Sequence, residues 1–376
     1  MKKGWKIVGI SFMLVVLLIV AIFLSYVAYL SVNYYRIRDN LAVTVNNNTE
    51  VVVELDRSYS ISTYNIGFGA YSHDFSFFMD SGEMLNGEKV QGTKSRASSK
   101  EVVLYNTNGA IDTIKKLDTD FAFFQDVDVR ADRSHFVNQY EMICESFSEY
   151  SNSYVENMHT GYLIYPPTNP IGAVKSGQVT LSKYQISESV RRSFPIDESF
   201  VQKFFDLDRC FEVNYLPIQN SDKQLVLINL HMSAYDEGGK IRAKQLDMLL
   251  TFMQGEYNKG NYVIAGGDWN HDIANSINSF SSQQKVPDWV KAISEEEISE
   301  HFSFAKDTRV ATCRSTDMPY EKGVNYTVVL DGFLVSDNIQ IDSIENIDTD
   351  FEYSDHNPAY MTFTLLQEEE TGETIE

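Results

Sequence analysis

The stretch NYVIAGGDWNHD, residues 261–272, decides how the rest of the chain is read. Its first half is short, apolar and partly β-branched, which predicts a strand over 261–269. That strand ends on polar groups, Asp268 and Asn270. A carboxylate at the tip of an apolar strand costs free energy unless it is paired or holds a metal. The same placement recurs along the chain: Asn65 closes TYN, Asp126 and Asp128 close FFQDVD, and His231 closes INLH. Asp331 lies inside VVLDGF, and Asp355, His356 and Asn357 stand just before the final apolar run. Two histidines, several acids and three amides in this position predict one polar site where strands end.

Further strands are predicted over 60–66, 121–127, 178–184, 224–232, 328–335 and 359–366, each bounded by Gly, Asn, Asp or Ser. Helical spacing appears over 110–118, with Ile111, Ile114 and Leu117 on one face, and over 240–257, with Ile241, Leu246, Leu249, Leu250 and Met253. The expected product is one α/β domain over 58–366, sheet layers covered by helices. Two stretches, 67–105 and 145–176, are too long for simple connectors, and their aromatic content predicts ordered pocket walls.

The chain has 376 residues, 43% hydrophobic and 13% aromatic, which excludes collagen-like, low-complexity and globally disordered readings. Cys144, Cys210 and Cys313 are too few and too widely spaced for a disulfide scaffold or a cysteine zinc site. With 31 basic against 53 acidic residues the formal charge is −22, which argues against sequence-independent wrapping of nucleic acid. It leaves room for a locally basic or metal-neutralised phosphate site. The final segment 367–376 carries five of the acids and reads as a solvated tail.

From Ile7 to Val32 the chain is apolar and free of charge, longer than the roughly 20 residues that cross a hydrocarbon core. Lys2, Lys3 and Lys6 precede it, and no small-x-small cleavage signal follows it. The expectation is an uncleaved transmembrane signal anchor over 7–32, with residues 1–6 cytoplasmic, a tether over 33–57 and the domain outside the cell membrane. Tyr29, Tyr34 and Tyr35 fit an aromatic belt at the outer interface.

The site's ligand chemistry is that of a hard cation. Asp and Asn oxygens without cysteine suit Mg²⁺ or Mn²⁺, with Ca²⁺ also compatible, whereas zinc favours clustered His or Cys. The two histidines offer proton transfer near neutral pH.

TYNIGFG, FFQDVD, GQVTLSKY, INLHM, AGGDWNHD, VVLDGFLVSD and YSDHNPAY stand in an order and spacing that resembles the endonuclease/exonuclease/phosphatase superfamily, the deoxyribonuclease I-like fold. GGDWN and SDHNP are the most specific of these pieces. The resemblance implies a four-layer α/β sandwich, two mostly antiparallel β-sheets flanked by helices, with the site at one rim. It implies Asp126 and Asn65 as metal ligands, Asp126 standing where the family has a glutamate, and Asp355 as a residue that can approach the metal. Asp128 is the candidate to compensate for the shorter Asp126. Asp268 and Asn270 match the pair that orients the attacking water and steadies the phosphorus centre. His231 matches a histidine that contacts phosphate or protonates the leaving group, and Asp331 matches the acid that orients His356.

Outside these motifs, His159 in a long aromatic loop is a candidate substrate contact. Arg209 in LDRCF is a second, although for it, Arg314 and Lys175 the default reading is a surface or fold-supporting charge. His271 is expected at the rim, and His73, His135 and His301 as surface or structural residues. The expected activity is metal-dependent hydrolysis of a phosphate ester in nucleic acid, nucleotide or lipid headgroup, by a monomer. The charge lacks the basic stripe of a nuclease, and no apolar hairpin marks a lipid-inserting enzyme. The competing class is a non-catalytic surface module that keeps the fold. Such a chain should have lost His231, Asp268 or His356, and all three are present.

Overall fold

The computed structural model describes residues 2–200, 202–204, 206–234 and 240–367. Two seven-stranded sheets form its centre. In strand order, one runs Leu41–Ala42, Glu188–Ser193, Cys210–Pro217, Gln224–His231, Tyr262–Asp268, Asp331–Ser336, Phe302–Ala305. The other runs Ile339–Asn346, Ala359–Leu365, Ser58–Asn65, Phe121–Asp128, Lys175–Ser182, Ser151–His159, Val45–Asn46.

Nearly all neighbours are antiparallel, but each sheet has one parallel pair at its middle. These are Ser58–Asn65 with Phe121–Asp128, and Gln224–His231 with Tyr262–Asp268. A parallel pair needs a crossover. Helix α2 (Lys100–Leu117) lies in the first crossover and α4 (Lys240–Tyr257) in the second. α1 is the N-terminal helix Lys2–Asn33, and α3 is the short helix Gln139–Ser146. Helices and sheets stack as the expected four layers, with separate apolar clusters under α4 and under α2 and α3.

Side chains alternate across a strand, so every second residue faces the partner sheet. Down the four parallel-paired strands these inward residues change character in step. Tyr59 and Ile61, Phe121 and Phe123, Leu225 and Leu227, Tyr262 and Ile264 form an apolar inter-sheet core. Two residues further on, Thr63, Gln125 and Asn229 form a polar layer. Gln125 Nε2 donates to Thr63 Oγ1 at 3.0 Å and to Asn229 Oδ1 at 2.8 Å, and Asn229 Nδ2 donates to the Val179 carbonyl at 2.9 Å. The strands bring Asn65, Asp126, His231 and Asp268 to their C-terminal ends. All four C-terminal ends lie at one rim, where α/β sheets bind ligands.

The polar layer extends to Glu212, fully buried, which accepts from Thr180 Oγ1 at 2.6 Å and Ser189 Oγ at 3.1 Å. Burial pushes its carboxyl above the ordinary range, against the pull of those hydroxyls. A carboxyl raised by folding contributes stability below its unfolded pKa and loses it as pH rises through the folded value. Glu212→Gln keeps the shape and removes that loss. Its melting temperature is therefore expected to exceed that of the wild type by a few degrees at pH 8, with the gap closing towards pH 5. Parallel curves across that range in thermal melts contradict the account.

Three expectations need correction. Residues 33–57 are not a loose tether: Leu41–Ala42 pairs with Val190 and Arg191, Val45–Asn46 pairs with Asn152 and Ser153, and Val53 is fully buried. The segment covers an edge of each sheet, which relieves unpaired backbone groups there. The stretch 145–176 does not wall the pocket where the strands end; it contains the strand Ser151–His159 and a loop packed on α1. α2 begins at Lys100 rather than 110, capped by Ser99 Oγ, which accepts from Val102 N at 3.3 Å. In the expected acidic tail, residues 368–376 lie outside the described residues.

Candidate active site

Each site residue reaches the rim by an identifiable local device. Asp126 sits in a β-bulge, where the register with Lys175–Ser182 shifts between Phe124 and Val127, and its φ is +53°. The extra residue turns its carboxylate into the pocket that simple alternation would deny it. Aspartate enters this left-handed region more readily than glutamate does, which suits the shorter side chain. In the GGDWN motif, Gly267 has φ +145°, and a Cβ there would stand 2.0 Å from the Leu230 carbonyl. Trp269 is fully buried and donates Nε1–H to the Gly332 carbonyl at 3.1 Å. Beyond it, Asn270 (φ +50°) returns its backbone N–H to Asp268 Oδ1 at 2.9 Å. Asp331 is register partner to Asp268, and His356 precedes the strand Ala359–Leu365, so antiparallel pairing brings both to the same rim.

Asp268 is the centre of the constellation. Its Oδ2 accepts from Asn65 Nδ2 at 2.9 Å and Asn270 Nδ2 at 3.3 Å, and lies 3.4 Å from His231 Nε2 and 3.7 Å from His356 Nε2. His356 Nδ1 is 2.7 Å from Asp331 Oδ2, both side chains buried.

The two imidazoles are driven in opposite directions. Burial alone would lower His356, but the adjoining Asp331 carboxylate, with Cys313 and Asp268, holds it well above its ordinary value. Asp331 is itself pushed up to about 6 by burial, opposed by the imidazole, so at neutral pH the two form an aspartate–imidazolium pair. His231 is pushed well below its ordinary value by burial and by Arg209, against the pull of Asp268. It is neutral at pH 7, and its Nδ1 has no hydrogen-bond partner.

One pocket collects these groups. Asn65, Asp126, His231, Asp268, Asn270, Asp355 and His356 all line it, with Arg133, Arg209 and Arg314. Asp331 lies behind His356. The stretch 67–105 supplies walls in Phe68, Tyr71, Phe77 and Asp80. Arg209, almost fully buried, pairs only at 3.7 Å with Asp206, and its Nε and Nη1 have no partner. Arg314 is a pocket residue as well as a structural one, donating to the Tyr71 and Ser72 carbonyls. Arg133 was not visible as a site residue: nothing in RADRSHF marks it.

Other placements differ from expectation. Asp128 cannot compensate for Asp126, because both its oxygens are taken by Arg133, Nε at 3.1 Å and Nη2 at 2.9 Å. His159 is exposed, bonded to Glu156 at 2.8 Å, and does not line the pocket. Lys175 pairs with the same Glu156 at 2.9 Å. His271 is buried, its Nδ1 2.8 Å from the Trp269 carbonyl.

Two groupings could hold a divalent cation. Asp268, Asp331 and His356 bring one ligand atom each within 4.8 Å of one another, but the 2.7 Å bond between the last two already occupies a ligand atom of each. Asn65, Asp126 and Asp355 line the same pocket as an all-oxygen set, with Asn65 Oδ1 accepting from Gly67 N at 3.0 Å. Asp126 Oδ1 is buried without a hydrogen bond, 3.7 Å from His231 Nδ1, and burial, with the Asp126 charge adding to it, raises the Asp355 carboxyl. Oxygen donors carrying mutually repelling charge are what a hard cation relieves.

No family model matches the chain, and no curated protein matches its sequence. Solved structures do match it in shape. An endonuclease/exonuclease/phosphatase from Beutenbergia cavernae DSM 12333 aligns with a TM-score of 0.56 at 12% identity, over 82% of this chain and 72% of that one. ANGEL2, described as a 2′,3′-cyclic phosphatase and solved with adenosine-2′,3′-vanadate, gives 0.52 at 15% identity, over 88% and 100%. TDP2 from D. rerio, complexed with a single-strand DNA product, gives 0.51 at 14% identity, over 82% and 100%. Two central βαβ units with their strand ends at one rim, the order of the motifs, and these likenesses give this chain the fold of the endonuclease/exonuclease/phosphatase superfamily.

Proposed function

We propose that this chain is a divalent-metal-dependent hydrolase of phosphate esters, held by α1 in the cell membrane with its domain outside. The observation that carries the activity is the convergence of His231, His356, Asn65 and Asn270 on Asp268 in a pocket that also holds Arg209, whose Nε and Nη1 have no partner. Three arginines line the pocket against four carboxylates, a balance that suits an anionic substrate bound together with a cation.

Asn65, Asp126 and Asp355 would hold the cation, Mg²⁺ or Mn²⁺ by donor type, and it would neutralise charge on the phosphate. Asp268 orients the attacking water and accepts its proton. His356, as imidazolium, offers Nε2–H to the phosphate oxygens as negative charge grows on them, and Asp331 keeps the ring in that protonation state. His231, neutral, adds a hydrogen bond without a second positive charge. Arg209 binds the phosphate.

The activity assay is hydrolysis of bis-p-nitrophenyl phosphate. Turnover is expected to fall to background in EDTA and to return with excess Mg²⁺ or Mn²⁺; full activity in EDTA rejects the metal. α1 supports the anchor by length and composition: the 30-residue stretch Gly4–Asn33 contains an 18-residue window of mean hydropathy 3.2, none of it buried. The lysines on its N-terminal side favour a cytoplasmic N-terminus.

A further inference from the structure

α1 does not leave the domain on a free linker. Its last turns are fastened to the loop that follows the strand Ser151–His159. Tyr26 Oη donates to the Tyr162 carbonyl at 3.2 Å and accepts from Ile164 N at 3.1 Å, while Tyr29 Oη accepts from Tyr162 N at 3.0 Å. Leu30 packs with Met158, Leu163, Ile171, Val174 and Phe204. Just beyond the helix, Arg36 forms an ion pair with Asp208, and Tyr34 meets Phe204 edge-on at 5.7 Å.

Strand directions show which end of the sandwich is held. Ser151–His159 and Lys175–Ser182 are antiparallel, as are Lys175–Ser182 and Phe121–Asp128. Met158 and Val174 therefore lie at the end where Asp126 closes its strand. Cys210–Pro217 is antiparallel to Gln224–His231, so Phe204 and Asp208, which precede it, lie at the end where His231 closes its strand. Every fastening of α1 is thus at the rim that bears the pocket. The walls are shared too: Leu207 and Arg209 line the pocket beside Asp208, and Tyr165 packs on Phe78, which packs on the pocket residue Phe77.

Around this attachment the surface carries exposed apolar side chains, with Asp197 and Glu198 beside them. Tyr162, Ile164 and Tyr165 are 37%, 54% and 54% exposed, and Phe200, stacked edge-on with Phe204, is 57% exposed. Lys203 lies about 5 Å from the rings of Tyr34, Phe200 and Phe204. A hydrocarbon core of about 20 residues starting after Lys6 ends near Tyr26, the level at which the loop is bonded to the helix. A large exposed apolar patch beside a membrane span, with tyrosines and a lysine among it, has the chemistry of the lipid interface.

We infer that the pocket-bearing end of the domain docks on the bilayer through Tyr162, Ile164, Tyr165 and Phe200, so that the pocket works at the lipid surface. The occupant of this patch is the membrane that α1 spans, and the inference rests on the anchor reading above. It assigns these four side chains a place in the headgroup region and gives the domain one orientation on the membrane. Phosphate esters at that surface reach the site directly.

The test uses the full chain, with Cys144→Ser to remove the half-buried thiol, in phosphatidylcholine/phosphatidylglycerol vesicles. Single cysteines at Ile164→Cys and Phe200→Cys report the patch, Leu18→Cys the helix centre, and Val51→Cys and Leu366→Cys the far end of the sandwich. All five sites are exposed in the protein, and retained diesterase activity shows that each variant folds. Nitroxide labels at 164 and 200 are expected to collide several-fold less with an aqueous nickel chelate than labels at 51 and 366. Equal accessibility at all four, with the label at 18 shielded, overturns the docking and leaves the anchor. An accessible label at 18 removes the anchor and the docking together.

Discussion

Asp268→Asn is expected to lower kcat for bis-p-nitrophenyl phosphate by about 10³-fold or more, with KM changed far less. The substitution keeps volume but replaces a carboxylate that two side-chain amides bond and two imidazoles face. Asn65, Asn270, His231 and His356 all direct nitrogen at Oδ2, between 2.9 and 3.7 Å. An amide in this place either presents its NH₂ to those donors or keeps one oxygen with no charge. In both cases the site loses its acceptor for the water proton. Loss of an interaction used in the transition state shows in kcat, whereas loss of uniform binding shows in KM. Thermal melts should stay close to wild type, because relief of a buried charge offsets the weaker hydrogen bonds. A kcat within tenfold of wild type would mean that another group serves as base.

The legibility of this site in the sequence follows from where its residues sit. Asn65, Asp126, His231, Asp268 and Asp331 stand at the ends of apolar strands, where a polar residue is conspicuous, and the structure gathers them at one rim. Arg133, Arg209 and Arg314 were poorly legible for the opposite reason. Arg133 and Arg209 come from loops and Arg314 from the two-residue strand Cys313–Arg314, where a charge is ordinary, and only tertiary packing buries them. Strands that went unread follow the same logic. SNSYVENMH, ESVRRS and CFEVNYLP look too polar for a core, yet Ser151, Ser153, Asn157, Arg191, Glu212 and Asn214 are buried in them. They pack around the hydrogen-bonded layer between the sheets, and no local pattern announces a polar core. The first ten residues of α2 were missed likewise. Asn106 is turned inward to donate to the Gly69 carbonyl at 3.0 Å, and Thr107 accepts from Gln139 at 2.8 Å. Those bonds brace the loop that forms one pocket wall, so an apparently poor helix sequence serves the site.

Asp331→Asn is the second large effect, and it separates a positioning role from contact with substrate. Asp331 does not line the pocket; its bond to His356 is its route to the reaction. Burial works against a charged imidazole, and the Asp331 charge is what overcomes it. With an amide in its place burial prevails, so His356 becomes neutral at pH 7 and loses the proton it presents to the phosphate. By analogy with other His–Asp pairs, kcat should fall by roughly 10²–10⁴-fold. Because substrate contacts are untouched, KM should hold within a few-fold. Nitrogen NMR of ¹⁵N-histidine protein would read the state directly: at pH 7 the wild-type His356 should show both ring nitrogens protonated, and the variant only one. Asp331→Glu retains the charge, and part of the activity should return with the doubly protonated signal. If Asp331→Asn were inactive yet kept the imidazolium signal, the carboxylate would be shaping the fold through Thr312, whose side chain bonds it. Loss of rate together with loss of that signal ties the electrostatics of the pair to catalysis.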